Sequence, residues 1–197
     1  MLAVILAVGL AAPPARKPTS PPPPPPPPQE AVVETDQGTF VVRFREDLAP
    51  NHVRHVVKVA KSGGYDGTTF HRIIPRGIIQ GGDPLSKDPA RSALYGTGGL
   101  GLLRAELSDQ PMTRGKVAAV QRPSNVDSAG NQFFVCLSDQ PSLTGKYTIF
   151  GEVVEGMDVV DKIGETPVDG QKALARVAIR KVTVRPVASP APSPAAP

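Results

Sequence analysis

Between Ala31 and Val184 the apolar residues fall mostly into short runs rich in Val, Ile and Phe, separated by turn residues, and this pattern restricts the chain more than any other feature. Strands are expected at Ala31 to Thr35, Thr39 to Phe44, Thr69 to Ile74, Ile78 to Gly81, Val117 to Val120, Gln132 to Leu137, Ile149 to Val154 and Arg176 to Val184. Only two stretches keep a helical period. In Pro50 to Ser62, Val53, Val56, Val57 and Ala60 recur on one face before Gly63-Gly64, and a second short helix is expected over Met157 to Ile163. Many strands with two helices predict a mainly β domain, a closed or nearly closed antiparallel barrel rather than βαβ units. No internal repeat is present.

The flanks cannot share that architecture. Eight consecutive prolines, Pro21 to Pro28, have no backbone donors and favour a stiff polyproline II spacer of roughly 25 Å. The chain therefore divides into an apolar segment at 1–12, a Pro-rich linker at 13–29, a folded domain at 30–186 and a Pro/Ala tail at 187–197 expected to be disordered. Leu2 to Ala12 resembles the apolar region and small-residue end of a secretory signal and is too short to span a bilayer. It lacks a basic stretch before it, so cleavage and an uncleaved tether through residues 2–12 both stay open. Export to the periplasm, cell envelope or medium is the expectation.

A net charge of +4, with Lys and Arg scattered among acids, does not predict a nucleic-acid partner. The single cysteine, Cys136, excludes an intramolecular disulfide and reads as a small buried strand residue. Gly96-Thr97-Gly98-Gly99-Leu100-Gly101 matches the spacing of a dinucleotide-binding loop, but the segment before it is polar and proline-punctuated, so a surface loop is the better reading. His52 and His55 could share a helix face, yet no third metal ligand is near, and they are expected to be solvated. No G-x-S-x-G elbow marks a serine nucleophile, and His71 is expected to be packed and hydrogen-bonded within a strand.

Strand parity is more informative. Phe70, Arg72 and Ile74 alternate with His71 and Ile73, and Gln132, Phe134 and Cys136 alternate with the wholly apolar set Phe133, Val135 and Leu137. Arg72, Gln132 and Phe134 could thus line an outer groove, with ordinary surface positions as the alternative.

Five segments, in order and spacing, resemble the cyclophilin signature. They are Tyr65 to Pro75, Gln80-Gly81-Gly82-Asp83, Gly96-Thr97-Gly98-Gly99, Gln132-Phe133-Phe134-Val135 and Phe150 to Met157. The resemblance runs from about Ala31 to Arg185. It implies an eight-stranded antiparallel barrel capped by two α-helices, acting without metal or cofactor as a peptidyl-prolyl cis-trans isomerase on unfolded or flexible proline-containing polypeptides. A monomer is expected. By the same resemblance Arg72 is the catalytic arginine, Gln80 orients the substrate carbonyl, Phe134 and Leu143 wall the proline pocket, and Val120 and Gln121 hold the peptide backbone. Gln132 lines the adjoining groove, and Phe70, Ile78 and Tyr147 complete the substrate-binding set.

Departures from the family pattern carry their own expectations. Gly77 stands where a phenylalanine normally floors the pocket, so the pocket should be shallower and turnover reduced. Ser142 replaces the tryptophan of drug-sensitive members, and Tyr147 replaces a frequent histidine, so weak cyclosporin binding is expected. The rival reading is a barrel that binds proline segments as a chaperone without rotating them.

Overall fold

Thr35 Oγ1 accepts from Gln37 N and donates to Gly38 O at 2.7 Å, tightening the turn at which the first hairpin reverses. The computed structural model describes residues 28–187, so the expectations for the apolar segment, for most of the Pro-rich linker and for 188–197 lie outside the described residues. At the two margins Gln29 already belongs to the first strand, and Val187 N donates to Pro28 O at 2.8 Å.

The hairpin joins β1 (Gln29–Thr35) to β2 (Gly38–Phe44). Phe40, Val42 and Phe44 point into the core, as the alternation predicts. Helix α1 (Pro50–Lys61) follows, with Pro50 in the first turn, where a missing N–H costs nothing. It buries Val53, Val56 and Ala60 and stops at Gly63, whose φ of +68° only glycine adopts freely.

Next come β3 (Arg72–Ile74), β4 (Ile78–Gly81), β5 (Lys116–Ala119), β6 (Phe133–Cys136) and β7 (Ile149–Glu155). Helix α2 (Met157–Gly164) then packs Val159, Val160 and Ile163 inward. Two short strands, β8 (Val168–Asp169) and β9 (Lys172–Ala173), precede β10 (Ile179–Pro186).

The pairings form one sheet in the order β10-β1-β2-β7-β5-β6-β4-β3-β9-β8. This corrects two expectations. Among the described residues there are ten strands rather than eight, because β8 and β9, two residues each, carry no alternation long enough to read. The sheet is also not closed into a barrel. Across the gap stands a single bridge, Thr69 with Ala178, where Phe70 N donates to Val177 O and Ile179 N to Thr68 O. β3 starts only at Arg72, so the segment facing β10 is too short to make a ladder.

Two apolar clusters result. The larger lies on one side of the sheet and takes in the buried faces of both helices, around Phe40, Phe70, Ile73, Phe133, Val135 and Ile163. The smaller lies on the opposite side, around Ile78, Met112, Ala118, Phe134, Cys136 and Ile149. Cys136 is fully buried, as expected, and burial pushes its thiol up to about 12. Among the described residues no helix is long and apolar enough to cross a membrane.

Candidate functional site

Strand register puts the candidate side chains in one line. Lys172 pairs with Arg72, Arg72 with Gln80, Gln80 with Phe134, and Phe134 with Ala118, so the row crosses β9, β3, β4, β6 and β5. Directly paired residues share a face. A second row, two residues away, runs through Ile74, Ile78 and Cys136. Lys172, Arg72, Gln80 and Phe134 of the first row and Ile74 and Ile78 of the second line an open groove of about 1050 Å³, together with Val120, Gln121, Leu143 and Tyr147. Tyr147 meets Phe134 edge to face at 5.3 Å between ring centres.

Arg72 is fixed by two glutamines. Its Nη1 donates to Gln80 Oε1 at 3.0 Å and its Nε to Gln171 Oε1 at 2.8 Å. Nη2 has no protein partner among the described residues. Gln80, 5% exposed, donates onward from Nε2 to Gln132 Oε1 at 3.0 Å, and Gln132 Nε2 donates to Gly98 O at 2.7 Å. A chain of amides therefore anchors the guanidinium to the glycine loop.

That loop has its own centre. The carboxylate of Asp83, fully buried, accepts from Leu85 N at 2.8 Å through one oxygen. Through the other it accepts from Gly96 N at 2.5 Å and Gly98 N at 3.2 Å. The glycines cradle an internal carboxylate, so the N–H groups that a dinucleotide phosphate would need are occupied.

The groove brings together Arg72, Ile78, Gln80, Val120, Gln121, Phe134, Leu143 and Tyr147 of the expected set. It excludes two. Phe70 is 1% exposed and packs against Phe40 and Phe133 in the large core, because Thr69 to His71 precede β3 and do not follow its alternation. Gln132 is 1% exposed and lines nothing; it sits under Gln80 as a support. Gly77 does line the groove, and an added Cβ there would meet Ile74 Cγ2 at 2.9 Å. Ser142 is exposed in the turn Pro141–Leu143, beside the groove wall.

The histidines depart from expectation more sharply. His52 is fully buried rather than solvated, its Nδ1 2.6 Å from Glu106 Oε2. His55 Nε2 contacts Asn131 Oδ1 at 2.8 Å. Among the described residues no group of three His, Cys, Asp or Glu could hold a metal ion. His71 is 8% exposed, with Nδ1 only loosely set at 3.4 Å from Thr69 O and Nε2 unpartnered. Burial pulls its pKa down, and neighbouring Arg72 adds to this, against the opposing pull of Thr69 O and Asp83.

Gln171 and Lys172 reach the groove from the β8–β9 hairpin and were missed by sequence reasoning. The readable signal was Gly170 as the first residue of the two-residue turn Gly170-Gln171, where φ is +60°.

A fixed cation beside an apolar slot can bind and polarise an amide. A family model described as cyclophilin type peptidyl-prolyl cis-trans isomerase/CLD matches residues 31–184. The chain is 41% identical over 137 residues to a probable peptidyl-prolyl cis-trans isomerase of Brucella abortus, covering 67% of this chain and 69% of the relative. It is 33% identical over 140 residues to a peptidyl-prolyl cis-trans isomerase of Arabidopsis thaliana, covering 71% and 83%. A solved cyclophilin type peptidyl-prolyl cis-trans isomerase of Cryptosporidium parvum, determined in the presence of the dipeptide Ala-Pro, superposes with a TM-score of 0.71 at 24% identity, over 79% of this chain and 98% of that one.

Proposed function

The chain belongs to the cyclophilin-type peptidyl-prolyl cis-trans isomerase family, and from that premise we infer that the groove rotates X-Pro bonds with Arg72 as its catalytic residue. The enzyme needs no cofactor. The barrier it lowers, about 18–20 kcal/mol, comes from amide resonance. As the bond twists, resonance is lost and the proline nitrogen becomes pyramidal and basic. A donor held near that nitrogen stabilises the twisted state more than the planar one.

The observation that carries this reading is the pinning of Arg72. Gln80 and Gln171 take one N–H of Nη1 and that of Nε, which leaves both N–H groups of Nη2 and the second of Nη1 for substrate. Pre-paid orientation of this kind lowers the reorganisation needed at the moment of reaction. Phe134, Ile78, Leu143 and Tyr147 form the apolar slot for the pyrrolidine ring, and excluding water there strengthens the field of Arg72. Gln80 also has a second amide proton for a substrate carbonyl. Gly77 leaves the floor of the slot open, which favours turnover lower than a floor-bearing slot would give.

A proline-limited refolding assay tests the assignment. Wild type accelerates the slow phase, and Arg72→Ala loses about 10²–10³-fold, the cost typical of removing one transition-state donor. Equal acceleration by the variant would remove Arg72 from the chemistry. A module that only holds proline segments is favoured by Gly77 alone, and the pinned arginine weighs against it.

The apolar stretch from Leu2 to Ala12 supports an exported enzyme that acts on exported proteins. Mass spectrometry of the mature N-terminus distinguishes cleavage from a tether.

A further inference from the structure

The row that carries Arg72 does not end there. Lys172 lies directly opposite it on β9, so two cations face each other on one side of the sheet, and Asp169 follows Lys172 in register on the far side of the row. Both line the groove, and Arg122 lines it from beyond the end of β5. The groove lining contains no aspartate or glutamate. Among the described residues Arg72, Lys172 and Arg122 form no ion pair with a carboxylate, although eight other pairs are made.

The nearby acids are otherwise engaged or placed. Asp83 is enclosed by backbone N–H groups, and Asp139 accepts from Arg114 N at 2.9 Å. Asp169 pairs with Lys172 in register on β8, outside the groove lining, without an ion pair. In a chain where acids and bases are interspersed, a groove with cations at both ends and no acid has one electrostatic complement.

We propose that the groove selects proline segments flanked by acidic side chains, one carboxylate meeting Lys172 and another meeting Arg122. The proposal rests on the isomerase reading of the same groove and adds the substrate class. Three strand steps separate Phe134 from Lys172, about 14 Å across the sheet. That is about four residues of extended chain. Arg122 lies four residues beyond Ala118, the register partner of Phe134 on the neighbouring strand, so its carboxylate partner belongs within about four residues on the other side of the proline.

The test uses alanine-based peptides centred on Ala-Pro, one neutral, one with glutamates at those spacings and one with lysines. Isomerisation by the full chain is measured by exchange NMR. At ionic strength of about 0.01 M, kcat/KM for the glutamate peptide is expected to exceed that for the lysine peptide by about tenfold, shrinking to near twofold at about 1 M, where charges are screened beyond a few Å. Lys172→Gln combined with Arg122→Gln removes most of the low-salt difference. Equal rates for the two charged peptides, or a preference that survives both salt and the substitutions, overturns the proposal. The neutral peptide separates the two layers: if it is not accelerated at all, the isomerase reading fails, whereas acceleration without charge discrimination sinks the acidic preference alone.

Discussion

Gln171 Oε1 accepts from Nε of Arg72 at 2.8 Å, so a contact from the turn between two short strands holds the guanidinium in the groove that Phe134 also lines. Gln80 holds the neighbouring nitrogen from the opposite side of β3. The first prediction concerns this clamp. Gln171→Ala frees Nε without touching the apolar slot, so kcat should fall about tenfold while KM changes little, because the arginine samples orientations that miss the twisting amide. Gln171→Glu, which keeps the acceptor, should restore most of the rate. A loss confined to KM would mean that the hairpin serves peptide binding instead.

A second prediction concerns helix α1, whose first turn is capped from elsewhere in the chain. Ala49 has no side chain to cap it, and Glu106 instead accepts from Asn51 N at 3.1 Å and His52 N at 3.0 Å. Burial works against its charge, but donors from His52 and Asn51 hold its pKa below the ordinary 4.5. A carboxylate with a depressed folded pKa stabilises above its unfolded value, and that contribution is lost as pH falls below about 4.5. Glu106→Ala should cost about 1–2 kcal/mol near neutral pH, the range for a lost helix cap, and should flatten the acid limb of the stability profile. Urea unfolding at a series of pH values reads both.

His71 titrates in a different window. Its folded pKa lies below the ordinary 6.5 because burial disfavours the imidazolium, so the unfolded chain binds the proton first. Stability contributed by neutral His71 is complete above about pH 6.5 and declines as pH falls from there through the lower folded value. His71→Gln should remove this step while leaving the one below pH 4.5 intact. A profile with no change near pH 6 in wild type would show that the ring is not held neutral.

The thiol of Cys136 supplies a probe of the groove floor. With its pKa pushed up to about 12 by burial, and Asp139 adding to the effect, almost none is thiolate at pH 8. Iodoacetamide should label it only in denaturant, and Phe134→Ala, which opens the cluster above it, should speed native labelling at least tenfold if local opening governs access.

The alternation of Phe133 to Leu137 was legible because β6 is buried on both sides by different clusters, so parity separated Phe134 and Cys136 from Phe133, Val135 and Leu137. The same reasoning failed at Phe70. Parity holds only inside a strand, and Thr69 makes a single bridge before β3 begins at Arg72. Gln132 was placed on the correct side but at the wrong depth: alternation assigns a face, whereas the glycine loop that covers it comes from residues 96 to 99. His52 was misread because its partner, Glu106, is remote in sequence and lies in a segment without periodicity. Long-range partners of polar groups leave no local trace, while apolar spacing does.

β1 and β10 are neighbours in the sheet, with Gln29 registered against Pro186. The first strand of the domain therefore waits for the last before it gains its outer partner, and loop-closure entropy is spent across nearly the whole domain. Folding of this kind is slow and cannot finish while the C-terminal strand is still inside the ribosome. The domain is therefore complete only once β10 has been made and has reached β1.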